Sequence, residues 1–323
     1  MRILLVGGTG NISSFVTELA AERGHEVTVL NRGRSPLPDG VRGLVGDAGD
    51  PASVESAIGA ESFDVVANFR SFSPRQAADD IRIFSGRTAQ YVYVSSASAY
   101  QKPVARLPIV ESTPLRNPFW QYSRDKIASE DALVSAYRET GFPVTIVRPS
   151  HTYGPSLIPL EGGWTALRRI LDGRPVVVHG DGTSLWTLTH SRDFARAFVG
   201  LFGNPHALGQ AVHITSDESL TWDEIARLLA RALGREADIV HIASEAIARE
   251  IPELGPGLLG DKAHSVLFDN TLVKRLVPGW VATTPFADGA REIVDWHLAD
   301  PARQRVDGDR DAAFDRLIAR HGA

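Results

Sequence analysis

The amino terminus, from Met1 to Ser13 (MRILLVGGTGNIS), allows few folds. An apolar run from Ile3 to Val6 breaks into Gly7, Gly8 and Gly10 and continues as a helix-like stretch from Ser14 to Arg23. The order is strand, glycine turn, helix. Such glycines let the backbone turn tightly and approach a pyrophosphate, whose charge then rests on the unpaired amides and positive dipole end of the helix. Gly24 to Arg32 follows as a second strand ending in polar groups, where an adenosine ribose would lie.

Further apolar runs at Val27 to Leu30, Val65 to Ala67, Tyr91 to Val94 and Val144 to Val147 alternate with helical patterns as far as Pro149. Short apolar strands separated by crossover helices predict an α/β fold with a parallel, doubly wound sheet. The longest helical stretch runs from Asn117 to Thr140 and stops at Gly141, just before Pro143. Beyond Gly154 the pattern loosens. Pro155, Pro159, Gly162 and Gly163 make a loop, Trp164 to Leu171 reads as helix, Val176 to Val178 as a short strand, and Arg192 to Phe202 and Trp222 to Leu233 as helices. The expectation is a dinucleotide-binding domain over 1–154 and a smaller, irregular α/β substrate lobe over 155–323, some of whose segments pack back on the first. The tail after Pro301, with Asp307, Asp309, Arg310 and Asp311, reads as a solvated face or a peripheral helix.

Tyr122 and Lys126 lie four residues apart on the longest helix and so project from one face, a turn apart. A free phenol titrates near pH 10 and is a poor base at neutrality. A fixed ammonium beside it is expected to favour the phenolate and make it a usable proton acceptor.

Composition excludes several function classes. A chain of 323 residues exceeds one ordinary domain. No apolar run approaches the roughly 18 residues that span a bilayer, and the start at Met1 lacks a charged lead and cleavage site, so a cytoplasmic protein without a membrane partner is expected. With no cysteine there is no disulfide, thiolate ligand or thiol nucleophile, and no metal site is expected. The balance of 34 basic against 39 acidic residues has no Lys/Arg-rich run, so nucleic acid finds no electrostatic footprint.

The glycine spacing and the distant Tyr/Lys pair together resemble the extended short-chain dehydrogenase/reductase superfamily, the NAD(P)-dependent epimerases and dehydratases, over most of the chain. Gly7, Gly8, Thr9, Gly10, Asn11 and Ile12 are similar to that family's cofactor loop, with Ser13 where its third glycine usually stands. Gly46, Asp47 and Ala48 resemble the segment that meets the adenine, and Phe63 to Phe69, followed by Arg70, the strand that backs the cofactor. Tyr91 to Tyr100 is similar to the fifth strand, with Ser96 in the place of the catalytic hydroxyl and Ser95 or Ser98 as alternatives. Val147 to Pro155 resembles the sixth strand and its exit loop, including Pro149 and Ser150, and His190 to Ala195 a conserved stretch of the second lobe.

The resemblance implies a Rossmann-type domain, a nicotinamide cofactor, a small-molecule substrate and a homodimer. It makes Tyr122 the proton acceptor, Lys126 the partner that holds the phenolate and the nicotinamide ribose, and Ser96 the group that orients the substrate oxygen. Asn31, followed by Arg32 and Arg34, stands where an acidic residue would bind both ribose hydroxyls, which favours NADP and leaves NAD possible. Two diphosphate-gripping arginines of nucleotide-sugar relatives are replaced, one by Trp186 and one by Leu258-Leu259 before Gly260-Asp261, and His151 stands where an Asn is usual. Ser98, His151, Trp164, Trp186 and His190 are candidate substrate contacts, with His179 and Lys262 as further polar lining. Three readings follow: an oxidoreductase or epimerase acting on a hydroxyl-bearing carbon of a sugar-like molecule, a nucleotide-sugar epimerase or dehydratase with altered phosphate contacts, and a non-catalytic dinucleotide- or RNA-binding member, since Gly24 to Gly33 also resembles chloroplast RNA-binding relatives.

Overall fold

The computed structural model describes residues 1–321. Its first half alternates as β1 (Arg2–Val6), α1 (Ser13–Glu22), β2 (Glu26–Asn31), β3 (Arg42–Val45), α2 (Pro51–Ile58), β4 (Phe63–Asn68), α3 (Pro74–Phe84), β5 (Thr88–Val94), α4 (Gln121–Thr140) and β6 (Val144–Pro149). The central sheet is all parallel, and β4 lies beside β1 rather than beside β3. The strand order therefore reverses between β1 and β4, and a crevice opens there at the carboxyl ends of the strands.

Alternation along β1 explains both faces. Ile3 and Leu5 pack with Val16 and Ala20 of α1, while Leu4 and Val6 pack with Val54 of α2, Phe84 of α3 and Leu133 of α4. Both faces are covered, so the strand is apolar at every position from Ile3 to Val6.

The chain continues as β7 (His151–Tyr153), α5 (Trp164–Leu171), β8 (Val176–His179), β9 (Leu185–Trp186), β10 (Leu188–His190), α6 (Ser191–Gly200), β11 (Ala211–Ile214), β12 (Leu220–Thr221), α7 (Trp222–Ala232), β13 (Ile239–Ile242) and α8 (Ser244–Glu250). A division at residue 154 cuts the chain but not the body it builds. β11 pairs with β6 as the seventh strand of the sheet, and α6 packs against α1 through Phe194 and Phe198. The remaining lobe has its own core of Trp164, Leu167, Trp222, Ile225, Phe286 and Ile293.

One expectation is corrected. α4 begins at Gln121 rather than Asn117, because the Asn117 Oδ1 accepts the Phe119 and Trp120 N–H groups, both at 3.2 Å, and turns the chain before the helix starts. Of the two readings of the tail the structure has the helix, Gly308–His321, which docks by burying Phe314 and Leu317. Its Asp311 and Asp315 form a network with Arg169 and Arg174 at 2.6 to 2.9 Å.

A buried ion pair fixes α4 against the sheet. Arg148, near the end of β6, meets Glu130 of α4 through Nε at 3.0 Å and Nη2 at 2.5 Å. The same carboxylate accepts the Ser95 hydroxyl. Removing one partner leaves an uncompensated buried charge, so Glu130→Ala is expected to lower unfolding free energy by about 3–5 kcal/mol. Glu55→Ala, which breaks an exposed pair with Arg82, is the control and should leave the denaturant midpoint nearly unchanged. A loss below about 1 kcal/mol for Glu130→Ala would contradict the role given to the pair.

Candidate functional site

The glycine turn is held by its own side chains. Ser13 Oγ accepts the Gly10 N–H at 2.8 Å and donates to Gly7 O at 2.6 Å, so the serine closes the loop from the place of a third glycine. Gly7 has φ +87°, and a Cβ there would fall 2.4 Å from Arg70 Cγ. The loop after β4 thus crosses directly over the turn. α1 starts with no side-chain cap and no acidic residue in its first turn; the Ser14 N–H bonds Gly10 O at 3.0 Å, and the positive end of the helix dipole is open to an anionic ligand.

From this turn a cavity of 470 Å³ runs along the carboxyl edge of the sheet, between the end of β2 and α4. It is lined by Gly7, Gly10, Asn11, Ile12, Asn31, Arg32, Arg34, Asp47, Ala48, Phe69, Arg70, Tyr122, Lys126 and Pro149, whereas Ser150 faces the adjoining cavity. At the β2 end, Asn31 Oδ1 accepts the Gly33 N–H at 2.8 Å, and Asn31 Nδ2 is buried without a partner. An orphaned donor above uncapped helix amides fits a phosphorylated ribose and pyrophosphate. Asn68 anchors the loop after β4: its Nδ2 donates to Asp80 at 3.1 Å and its Oδ1 accepts the Arg70 N–H at 2.7 Å.

Lys126 and Tyr122 close the far end. Lys126 Nζ donates to Ser71 O at 2.7 Å and Val94 O at 2.8 Å, and lies 5.7 Å from the Tyr122 ring centroid. Burial pushes the ammonium down to about 7, against the opposing charges of Glu130 and Asp80. The expected lowering of the phenol is reversed. Burial raises the Tyr122 hydroxyl above its ordinary value and Asp261 adds to this, while Ser96 acts the other way. Desolvation is the largest cause, so the chain's own groups favour the neutral phenol.

Of the three serines, Ser95 is committed to Glu130, while Ser96 lies beside Tyr122. Ser96 Oγ accepts the Ser98 N–H at 3.1 Å and lies 2.9 Å from Ser98 Oγ, which accepts the buried Ser123 hydroxyl at 2.8 Å.

Ser96, Ser98 and Tyr122 open on a second cavity of 360 Å³, with His151, Trp186, Trp120, Asp261 and Lys262 on its walls. A π-helical turn, Leu258–Lys262, supplies Asp261 and Lys262, and Leu258 is sealed in the core beneath. Asn117, not singled out from sequence, holds three walls together: its Nδ2 donates to Ser98 O at 2.9 Å and Gly260 O at 2.7 Å, while its Oδ1 caps the approach to α4. An Asn-Pro before a helix signals a turn, but nothing in the chain order shows that its amide reaches Gly260.

Trp164 and His190 do not reach the cavity. Trp164 is buried in the lobe core, stacked on His297 at 5.3 Å. His190 caps α6, accepting the Arg192 N–H at 3.0 Å, and its Nε2 meets Glu292 at 2.8 Å. His179 also serves structure, its Nε2 donating to Lys262 O at 3.0 Å while burial pushes it down to about 4.

A doubly wound parallel sheet whose glycine turn and Tyr/Lys pair share one crevice is the layout of a dinucleotide-dependent oxidoreductase of the short-chain dehydrogenase/reductase type. The chain belongs to the NAD dependent epimerase/dehydratase family, whose model matches residues 3–214. It is 30% identical to the 2'-dehydrokanamycin reductase of Streptomyces kanamyceticus over 87% of this chain and 80% of that one. It is 31% identical to the chloroplast stem-loop binding protein of 41 kDa b of Arabidopsis thaliana, over 74% of this chain and 65% of that one. Among solved structures, the epimerase Mth375 of Methanothermobacter thermautotrophicus shares the fold at a TM-score of 0.77 and 17% identity, covering 93% of each chain. No described helix is long and apolar enough to cross a membrane.

Lys126 ties stability to pH. Its folded value of about 7 lies below the unfolded value near 10.4, so between them the unfolded chain binds more protons and stability rises with pH. From pH about 7 to about 10 the contribution should approach 1.4 kcal/mol per pH unit. Lys126→Met should flatten unfolding free energy against pH by that slope; parallel curves for the two proteins would refute the depressed ammonium.

Proposed function

We propose that this protein is an NADP-dependent oxidoreductase acting on a hydroxyl-bearing carbon, or the corresponding ketone, of a neutral sugar-like molecule rather than a nucleotide sugar. The observation that carries this is the charge balance of the second cavity. Lys262 is paired with Glu161, and Asp261 lies 3.1 Å from the buried Lys102. Arg168 and Arg169, which could have replaced the missing diphosphate arginines, are engaged by Asp172 and by Asp311 with Asp315. A diphosphate would enter this cavity without a free guanidinium fork, while the half-buried Trp120 on its wall offers an indole on which a sugar ring can lie.

When bound, the nicotinamide supplies or accepts the hydride. Lys126 holds its ribose edge, Ser96 orients the substrate oxygen, and Tyr122 moves the proton at that oxygen. A phenol kept protonated by burial suits the reductive direction, in which Tyr122 donates to a carbonyl oxygen. The relative from Streptomyces kanamyceticus, named as a reductase of 2'-dehydrokanamycin, supports the same direction. The likeness to the chloroplast stem-loop binding protein favours a nucleic-acid reading, but a binding protein has no use for Ser96, Tyr122 and Lys126 turned toward one crevice.

NADP is favoured because the end of β2 presents an amide donor instead of a carboxylate, with Arg32 and Arg34 on the same cavity wall.

Thermal shifts with NADP present, comparing UDP-glucose and dTDP-glucose with methyl α-glucopyranoside and kanamycin, test the substrate class; micromolar stabilisation by a nucleotide sugar would overturn it. Tyr122→Phe is expected to reduce turnover at least 100-fold while cofactor affinity stays nearly unchanged, and a variant keeping a tenth of the activity would remove Tyr122 from its role. Arg32→Ala should weaken NADP by about 1.5–3 kcal/mol and NAD far less, as read by calorimetric titration. Equal losses would count against NADP.

A further inference from the structure

Trp186 and His151 meet in one contact. Trp186 Nε1 lies 3.1 Å from His151 Nδ1, with the rings edge to face at 86°. An indole N–H can only donate, so His151 Nδ1 accepts and carries no proton. The proton of the neutral ring must then sit on Nε2.

That second nitrogen is the one left to the cavity. His151 lines the wall shared with Ser96 and Tyr122, and its Nε2 bonds to none of the described residues and is not among the polar atoms sealed away from solvent. The charged and titratable groups around it leave the ring neutral. Lys262 faces it but is paired with Glu161, Asp261 is paired with Lys102, and Tyr122 is a protonated phenol. Burial, with Lys262 adding, pushes His151 down to about 3. Trp186 is buried and packs against Trp222 at 5.2 Å, so its N–H is held in place.

We propose that His151 Nε2–H is a substrate-binding donor and that Trp186 is the positioning residue that locks it in this tautomer. A neutral imidazole N–H offers one directional proton and no net charge. It selects a neutral acceptor oxygen, such as the hydroxyl, ring or carbonyl oxygen of a polyhydroxylated molecule, where a guanidinium would select a phosphate. Trp186 therefore does more than line the cavity: its N–H determines which nitrogen of the neighbouring histidine faces the substrate. The inference rests on the oxidoreductase reading for its ligand class, but the tautomer is independent of it.

The test is nitrogen-15 NMR of the histidine rings in the full chain, with the His151 signals identified by their loss in His151→Asn. The expected pattern is a pure Nε2–H tautomer that does not titrate between about pH 5 and 8, and in Trp186→Phe a mixture of tautomers. An Nδ1–H ring, an imidazolium within that range, or an unchanged pattern in a folded Trp186→Phe overturns the lock, and the first two can be read in the parent protein if that variant fails to fold. Methyl α-glucopyranoside, added to the NADP-saturated protein, should move the Nε2–H signal. Its affinity should fall about tenfold in His151→Phe and survive in His151→Asn, which restores a neutral N–H. A signal unmoved up to the probe's solubility limit, or equal binding by the Phe variant, overturns the donor role. NADPH binding, followed by nucleotide fluorescence, together with the loss of turnover in Tyr122→Phe, reports separately on the oxidoreductase reading.

Discussion

The site depends on how α4 is held against the sheet. Two charged side chains on one face of that helix, Lys126 and Glu130, are turned inward and compensated in different ways. Glu130 receives the Arg148 fork and the Ser95 hydroxyl, so a full ion pair with extra hydrogen bonds balances its desolvation. Lys126 receives two backbone carbonyls and, among the described residues, no carboxylate within ion-pair distance, so its desolvation is only partly offset and appears as a depressed pKa. The carbonyls come from the loop after β4 and the end of β5, and the ammonium therefore ties both to the helix that carries Tyr122.

This arrangement sets the phenol's chemistry. A lysine a turn away on the same face would lower a tyrosine in an open setting, but here the ammonium is buried and the phenol half-buried, and desolvation penalises each charged form. Burial thus favours the protonated phenol and lowers the ammonium to about 7. A phenol that carries its proton can donate it to a carbonyl oxygen, which is consistent with a reductive role.

The substrate side follows a second rule, in which every charge has a partner. Asp261 and Lys262 are adjacent in a π-helical turn, yet each is satisfied from behind, by Lys102 and Glu161. Asn117 then joins that turn to the Ser98 loop and the start of α4 with all four of its hydrogen-bonding positions in use. The result is a cavity of fixed shape and no net charge, walled by indoles and a neutral imidazole, adjoining one suited to an anionic cofactor.

Local chemistry carries a long way in this chain. The strand–glycine–helix start, the apolar strands and the Tyr122/Lys126 spacing each depend on backbone freedom or on a short periodicity, so the doubly wound fold and the lining of the first cavity could be read from residue order. What residue order could not supply was the environment of each group. Trp164 and His190 look like ligands in isolation, yet one is core and the other a helix cap. β11 completes the sheet from beyond residue 154 because strand pairing is settled by packing rather than by position in the chain. The direction of the Tyr122 shift, the reach of Asn117 to Gly260 and the contact between Trp186 and His151 all rest on burial or on meetings across 35 residues or more. Desolvation and hydrogen-bond direction are properties of the folded interior, and only the tertiary structure decided them.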